Sequence, residues 1–250
     1  MIRARGLRYT YPNGITGLDG VDLDVAHDER VAVLGPNGAG KTTLMLHLNG
    51  LLRGTGSLEV AGLRPEDKAL RARVGLIFQD PDDQLFMPTV REDVAFGPLN
   101  LGLPDVEQRV ATALETVRMS EHADRAPHQL SLGQRRRVAI AGVLAMDPSV
   151  LVLDEPSANL DPRTRRELIE TLDAIDRTLV VVTHDLPLAA ALCERSVLLS
   201  AGRVVADGPT REILDDEPLL AAHDLELPAG FDLSRLAWPR CPRAASASAP

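Results

Sequence analysis

A glycine-rich string that ends in lysine and threonine constrains this chain more than any other feature. Residues 35–43 read Gly-Pro-Asn-Gly-Ala-Gly-Lys-Thr-Thr and follow the apolar run at 31–34. Glycines at this spacing let the backbone turn tightly enough for its N–H groups to face phosphate oxygens. The helical pattern over 43–52 completes a strand, a phosphate-binding loop and a helix. The string therefore predicts a nucleoside triphosphate site.

Each part of this loop has its own expected role. Lys41 reaches the β- and γ-phosphates, and the Thr42 hydroxyl holds Mg²⁺. The N-terminus of the following helix adds the attraction of its dipole. The predicted phosphate-binding residues are Gly35, Pro36, Asn37, Gly38, Ala39, Gly40, Lys41, Thr42 and Thr43.

Composition narrows the classes of protein that remain. The chain has 250 residues, of which 44% are hydrophobic and 25% charged, as in ordinary globular proteins. Its longest apolar stretch, 138–146, is far shorter than the roughly 20 residues that span a bilayer. We see no signal-peptide pattern at the start. A net charge of −9 argues against nucleic acid as the main ligand.

Three further features of the sequence are not assigned a function. The basic run at 135–137 is expected to be a solvated helix face. Cys193 and Cys241 are expected to be reduced cytosolic thiols, because they are far apart and have no metal-ligand spacing. His122 and His128 are expected at the surface of a helical block.

Strands alternate with helices along the chain, which predicts an α/β core. The first thirty residues alternate apolar and polar around turn signals, as short antiparallel strands do. Residues 80–146 form a mostly helical block, in which Thr89 and Glu92 are spaced as a capping box. A hairpin is expected over 196–207, and Asp161-Pro162 should start a helix.

Two further apolar runs, 150–153 and 179–182, are typical of parallel strands buried on both faces. Asp154 and Glu155 follow the first run. An acidic residue at a strand tip beside a phosphate loop can hold Mg²⁺, and Glu155 can accept a proton from an attacking water. His184 follows the second run, so we expect it at the same edge of the sheet.

Residues 130–135 read Leu-Ser-Leu-Gly-Gln-Arg and resemble the LSGGQ signature of ATP-binding-cassette (ABC) proteins. The resemblance spans roughly residues 1–225 and includes the family's motifs in order. It implies an α/β fold: a P-loop NTPase (RecA-like) core, an N-terminal antiparallel β-subdomain and an inserted α-helical subdomain at about 80–146. The ATP-binding domain would cover 1–227. Residues 228–250, rich in Pro, Ala and Ser, are expected to form a disordered tail.

The same resemblance implies roles for single residues. Tyr11 would stack on adenine, Gln79 would sense Mg²⁺ and the membrane partner, Asp161 would lie in the loop that reaches across a dimer, and His184 would contact the γ-phosphate. The residues that would face the ATP of a second subunit are Ser131, Gly133 and Gln134. The expected catalytic residues are Lys41, Gln79, Glu155 and His184, and those expected near Mg²⁺ are Thr42, Gln79 and Asp154.

The signature departs from the family pattern at one position. Leu132 replaces its second glycine. A leucine keeps its backbone N–H, so contact with a phosphate survives if φ is negative there.

A narrower resemblance comes from residues 78–86 (FQDPDDQLF) and 90–101. They look like the ATP-binding subunits of energy-coupling-factor importers, particularly the cobalt/nickel type. In such importers two ATP-binding subunits dock beneath a shared transmembrane coupling protein, and a separate membrane component binds the cargo. The resemblance implies an ATPase that lies peripherally on the cytoplasmic face of the cell membrane.

Loop 80–86 and the helix after Thr89 are the predicted contact for the coupling protein. The loop and the residue after it present Leu85, Phe86 and Met87 among carboxylates. The alternative for these three side chains is that they pack into the core of the helical block.

Two other functions stay open. One is a soluble ABC-type ATPase that acts on ribosomes or DNA; relatives of that kind usually carry two cassettes or a coiled-coil insertion, and this chain has one cassette and no sustained heptads. The other is the ATPase of another ABC transporter class. The transported substrate, and the choice between a homodimer and a heterodimer with a paralogue, also stay open.

Overall fold

The computed structural model describes residues 1–235, which contain two β-sheets. The strands are β1 (Ile2–Thr10), β2 (Thr16–Val25), β3 (Arg30–Leu34), β4 (Thr55–Val60), β5 (Val74–Ile77), β6 (Val150–Asp154), β7 (Thr178–Thr183), β8 (Arg195–Ser200) and β9 (Arg203–Pro209). The first sheet has the order β2-β1-β4 and is antiparallel. The second has the order β5-β6-β7-β3-β8-β9, and only its β8–β9 pair is antiparallel.

The helices lie between and after these strands. They are α1 (Lys41–Leu48), α2 (Leu70–Arg73), α3 (Val90–Asn100), α4 (Val106–Thr116), α5 (Leu132–Leu144), α6 (Pro162–Asp173), α7 (Leu186–Leu192), α8 (Thr210–Asp215) and α9 (Glu217–Ala222). Among residues 1–235, no helix combines the length and the apolar character needed to cross a membrane.

The central strands are buried on both faces, and their side chains divide between two cores. Every residue of β6 and β7 is buried, which confirms the prediction for the runs at 150–153 and 179–182. In β3, Val31 and Val33 face a core shared with the antiparallel sheet and α1. Ala32 and Leu34 face a second core, shared with the helical block and α7. This division follows from the two-residue repeat of a strand.

Several helix ends follow local sequence signals. The capping box of Thr89 and Glu92 is present at the start of α3, as predicted. Asp161 caps α6 with Pro162 at its first position, which is also confirmed. The helix predicted over 43–52 instead begins at Lys41 and ends at Leu48. Gly50, with a φ of 73°, ends it in a Schellman motif in which Leu51 N donates to Leu46 O.

The C-terminal third contains helices that the periodicity of the sequence did not predict. α7 is almost entirely apolar and has no polar face to create a repeat, and α8 and α9 have only six residues each. The predicted disordered tail falls mostly on residues 236–250, which lie outside the described residues, as does Cys241. Within 228–235, Phe231 and Leu233 pack against the second core. Burial raises the pKa of Cys193 to about 12, so this thiol stays protonated.

Candidate nucleotide site

The topology brings the predicted site residues to one edge of the parallel sheet. β6, β7 and β3 are neighbours and run parallel. Their carboxyl ends therefore meet, and they carry Asp154, Thr183 and Gly35 to the same edge. His184, one residue beyond β7, lies at this edge as predicted.

The loop has three glycines at positions where backbone conformation or a close neighbour excludes a side chain. Gly35, Gly38 and Gly40 have φ values of 150°, 78° and 102°. A Cβ at Gly35 would overlap the carbonyl oxygen of Leu199, and a Cβ at Gly40 would overlap that of Gly17. Only Gly38 has open space around it. The loop is thus pressed against its own domain at two of the three positions.

Lys41 is held inside the loop. Its side chain is buried, and Nζ donates hydrogen bonds to Gly35 O at 2.6 Å and Pro36 O at 3.0 Å. Burial lowers the pKa of Lys41, while Glu155 and Asp154 act in the opposite direction. The ammonium group is therefore surrounded by oxygens and faces two carboxylates.

Thr42 and Asp154 form a pair of oxygen donors at the start of α1. Thr42 Oγ1 donates to Asp154 Oδ2 at 3.1 Å. Burial raises the pKa of Asp154, an effect that the Thr42 bond and Lys41 reduce. Gln79 lines the same cleft. A buried carboxylate beside hydroxyl and amide oxygens is a donor set that suits Mg²⁺.

Glu155 contacts Thr183, the last residue of β7, and His184, which follows it. Its carboxylate accepts hydrogen bonds from Thr183 Oγ1 at 2.8 Å and from His184 N at 3.0 Å. His184 Nδ1 lies 2.6 Å from Glu155 Oε1. The backbone of Glu155 is left-handed, with a φ of 44°, a conformation that a non-glycine residue holds only at a cost.

The cleft beside the loop has a volume of about 250 Å³. Its lining residues are Tyr11, Ile15, Thr16, Gly17, Asn37, Gly38, Ala39, Gly40, Lys41, Thr42, Thr43, Gln79, Asp154 and Glu155. Of these lining residues, 15–17 were not predicted from the sequence. The signal for them is the hairpin turn at 12–14, because pairing of Thr10 with Thr16 brings the start of β2 beside Tyr11.

Tyr11 is fixed at the mouth of this cleft. Its hydroxyl lies 2.9 Å from Thr43 Oγ1. Its ring meets the ring of Tyr9 edge-on, with centroids 4.9 Å apart.

The signature residues do not line this cleft. Ser131 is exposed and caps α5 in a box with Gln134: Gln134 N donates to Ser131 Oγ at 3.3 Å, and Ser131 N donates to Gln134 Oε1 at 2.9 Å. Leu132 begins the helix without a positive φ, so its N–H keeps the direction expected of this position. Asp161 likewise lies outside the cleft, at the cap of α6.

Gly133 and His122 each have a contact that explains their position. A Cβ at Gly133 would overlap Cγ2 of Thr164, so α5 and α6 approach closely there. His122 was expected at the surface, and this prediction is wrong: the ring is half-buried, and Gln134 Nε2 donates to its Nε2 at 3.0 Å. His128 is exposed as predicted.

The prediction that the basic run 135–137 is a solvated face is also wrong. Arg136 is 2% exposed. The side chain of Arg135 is 21% exposed and pairs with Asp82, and that of Arg137 is 14% exposed and lies 3.7 Å from Glu167. All three turn toward the protein because α5 has neighbours on several sides.

Comparisons with known proteins agree with this geometry. A family model described as "ABC transporter" matches residues 18–158. A putative ABC transporter ATP-binding protein of Streptomyces coelicolor is 61% identical over 91% of this chain and 90% of its own length. An energy-coupling factor transporter ATP-binding protein, EcfA, of Methanothermobacter thermautotrophicus is 48% identical over 93% of this chain and 78% of its own length.

A solved structure extends the likeness to the fold. The cbiO1 protein of Clostridium perfringens, described as part of the ABC transporter complex cbiONQ, is 36% identical. It aligns with a TM-score of 0.79 over 91% of this chain and 95% of its own length. The chain therefore belongs to the ABC transporter family and is one of its ATP-hydrolysing subunits.

Proposed function

We propose that this chain energises a membrane importer of the energy-coupling-factor type. The observation that carries the proposal is an exposed apolar patch on the loop after Gln79, on α3 and at the C-terminal end of that helix, formed by Phe86, Phe96, Leu99 and Leu101. These side chains are 62%, 41%, 64% and 42% exposed. The likeness to EcfA and to cbiO1 supports the same assignment.

Contacts between the loop and α3 hold part of the apolar patch together. Phe86 and Phe96 meet edge-on, with ring centroids 4.7 Å apart. The backbone N–H groups of Phe86 and Met87 both donate to Asp93 Oδ1 at 3.0 Å, which ties the loop to α3. Gln79, which lines the cleft, is seven residues before Phe86.

The apolar side chains of this loop divide between the core and the surface. Leu85 packs against the second core, whereas Phe86 is open to solvent. Exposed apolar side chains that touch one another, as Phe86 and Phe96 do, are typical of a contact with a partner. We assign the patch to the transmembrane coupling protein, which would hold the chain on the cytoplasmic face of the membrane.

The proposed chemistry follows from the contacts in the cleft. The carbonyl contacts of Lys41 hold its ammonium group where the β- and γ-phosphates would enter. Mg²⁺, held by Thr42 with Asp154 and Gln79 beside it, would offset the charge of the phosphates. Glu155 would accept the proton of the attacking water. Tyr11 would stack on the adenine.

Both carboxylate oxygens of Glu155 have contacts within the chain. One of its oxygens accepts from Thr183, and the other contacts the backbone and ring of His184. The His184 side chain is 60% exposed, so it has room to turn. We propose that the ring leaves Glu155 for the γ-phosphate and frees the carboxylate for water.

A second subunit is needed to complete the site. Ser131, Gly133 and Gln134 do not line the cleft of their own chain, and Ser131 is exposed at the N-terminus of a 13-residue helix. Such a terminus attracts a phosphate. In the proposed dimer, head to tail, these residues and Asp161 would reach the ATP of the other subunit, either a second copy or a paralogue.

The proposed cargo is cobalt or another metal ion or cofactor, on the strength of the resemblance at 78–86 and 90–101. The membrane substrate-binding component would select it. Nothing in this chain's own cleft would contact the cargo, so cargo identity is tested on the assembled complex.

Affinity purification from native membranes tests the importer. The tagged wild-type chain should retain a polytopic membrane protein. Phe86→Ser/Leu99→Ser should lose that protein while ATP hydrolysis by the isolated chain stays within about twofold, since exposed substitutions perturb stability little. Val205→Ser is the matched control, because Val205 is 40% exposed on β9 and is not part of the patch.

Two results would contradict the proposal. Retention of the membrane protein by the double variant would place the interface elsewhere. Recovery of the wild-type chain with ribosomes or DNA, and without a membrane protein, would favour an ABC-type ATPase not tied to a membrane.

A further inference from the structure

Arg136 is a fully buried arginine whose hydrogen bonds go to backbone carbonyls. Its Nη1 donates to Pro156 O at 2.7 Å and to Ala158 O at 2.8 Å. Its Nη2 donates to Gln79 O at 2.7 Å. Within residues 1–235, the structure gives Arg136 no carboxylate within ion-pair distance. The guanidinium thus joins three points of the main chain.

The segments that Arg136 joins include or adjoin residues proposed to act in ATP hydrolysis. Gln79 lines the nucleotide cleft, and residues 156–158 directly follow Glu155. The left-handed backbone of Glu155 persists only if its surroundings hold it. Two hydrogen bonds from Arg136 to the next three residues supply part of that hold.

Asp185, the residue after His184, contacts the other side of segment 156–158. Ser157 Oγ donates to Asp185 Oδ2 at 2.7 Å. Arg165 donates to both oxygens of Asp185, at 3.1 and 2.8 Å. Residues 156–158 are therefore fixed between α5, which carries Arg136, and the start of α7.

We propose that Arg136 is a positioning residue for ATP hydrolysis, which fixes Gln79 and the backbone after Glu155 to α5, the helix that Ser131 caps. The inference rests on the roles proposed above for Gln79, Glu155 and Ser131. A displacement of the helix by the partner subunit would then be passed to Gln79 and Glu155 together. A planar guanidinium suits this task because its fork of N–H donors reaches carbonyls in several fixed directions.

The buried charge itself argues for a specific role. Burial lowers the pKa of Arg136, against the opposing field of Asp80. Burying a charged group costs free energy unless hydrogen bonds compensate it, and the three carbonyls supply these bonds. An arginine that served only to fill space at this position would thus have simpler substitutes.

Arg137 provides a matched control on the same helix. Its side chain is partly buried, and its ion-pair contact is Glu167 on α6, not Gln79 or residues 156–158. The variants to compare are Arg136→Met, Arg136→Lys and Arg137→Met. For each, ATP hydrolysis gives kcat and KM, a non-hydrolysable ATP analogue gives the Kd, and thermal unfolding gives the Tm.

We expect Arg136→Met to lower kcat by roughly 10- to 100-fold, as small misplacements of catalytic groups do, with KM and the Kd within about threefold of wild type. Arg137→Met should change the Tm but not kcat. Arg136→Lys should recover part of kcat, because an ammonium can donate to some of the three carbonyls. If Arg136→Met does not fold, a lower kcat in Arg136→Lys at unchanged KM supports the proposal, and an unchanged kcat overturns it.

Equal kcat values in Arg136→Met and Arg137→Met would overturn the inference. A loss confined to the Kd or to the Tm would do the same. Glu155→Gln separates this failure from that of the proposed site: if Glu155→Gln keeps its activity, the assignment of the base is wrong. If Glu155→Gln is inactive and Arg136→Met is not slowed, only the role of Arg136 is wrong.

Discussion

Glu155 and His184 lie in direct contact, with 2.6 Å between Oε1 of the carboxylate and Nδ1 of the ring. The two residues follow adjacent parallel strands, so the sheet itself sets this distance. The contact joins the proposed base to the residue proposed to contact the γ-phosphate. The first two predictions test the two halves of this pair.

Glu155→Gln should bind MgATP and lose hydrolysis by roughly 10²–10⁴-fold, as expected for the loss of a general base. Glutamine is neutral and nearly isosteric with glutamate. Its carbonyl oxygen can still accept the hydrogen bond from the Thr183 hydroxyl. The variant should therefore accumulate as an ATP-bound dimer, which size-exclusion chromatography with ATP would show. A monomer at saturating ATP would contradict the dimer.

His184→Ala should slow hydrolysis but leave Glu155 in place. The backbone N–H of residue 184 and the Thr183 hydroxyl still hold the carboxylate in this variant. Combining it with Glu155→Gln should add little further loss, since residues that act as a unit are not additive. Steady-state rates of the two single variants and the double variant check this; fully additive losses would indicate independent roles.

Asp154→Asn should raise the Tm without nucleotide and abolish the additional rise caused by MgATP. Burial raises the pKa of Asp154 above its ordinary value of 3.8, so the ionised group destabilises the folded state at neutral pH. This destabilisation should disappear in the wild type as the pH falls through the raised pKa toward 3.8. Thermal unfolding of both proteins with MgATP, with ATP plus EDTA and without nucleotide measures these changes in Tm. An equal MgATP effect in both proteins would place the ion elsewhere.

Gly133→Ala should destabilise the protein by about 1–3 kcal/mol, as overpacking does, because its Cβ meets Cγ2 of Thr164. Thr164→Ser removes that methyl group and keeps the hydroxyl that bonds Asp161 at 2.5 Å. The double variant should therefore recover the Tm. Recovery of the Tm without recovery of ATP hydrolysis would show that Gly133 also has a role beyond packing. Failure to recover the Tm would rule out this contact as the cause.

Local signals in the sequence predicted much of the fold and of the cleft. The buried runs at 150–153 and 179–182, the phosphate-binding loop and the cap of α3 depend on neighbours in sequence, so pattern alone reveals them. The position of His184 follows from the rule that parallel strands end at one edge. These features require no knowledge of distant contacts.

The features that were missed depend on contacts between distant segments. Arg136 is buried because carbonyls 20 and 57 residues away converge on it, and its own sequence reads as an exposed basic run. His122 is half-buried and hydrogen-bonded to Gln134. A Cβ at Gly133 would overlap Thr164 of another helix. No periodicity over a short window contains this information.

The division of β3 between two cores has a consequence for how the protein opens. Val31 and Val33 belong to one core and Ala32 and Leu34 to the other, so the strand is a wall shared by both. Partial unfolding of the helical block or of the antiparallel sheet would still leave one face of β3 packed. Its amide hydrogens should exchange with solvent only when the whole domain unfolds. The phosphate-binding loop, which begins where this strand ends, is thus attached to the part of the protein that is last to come apart.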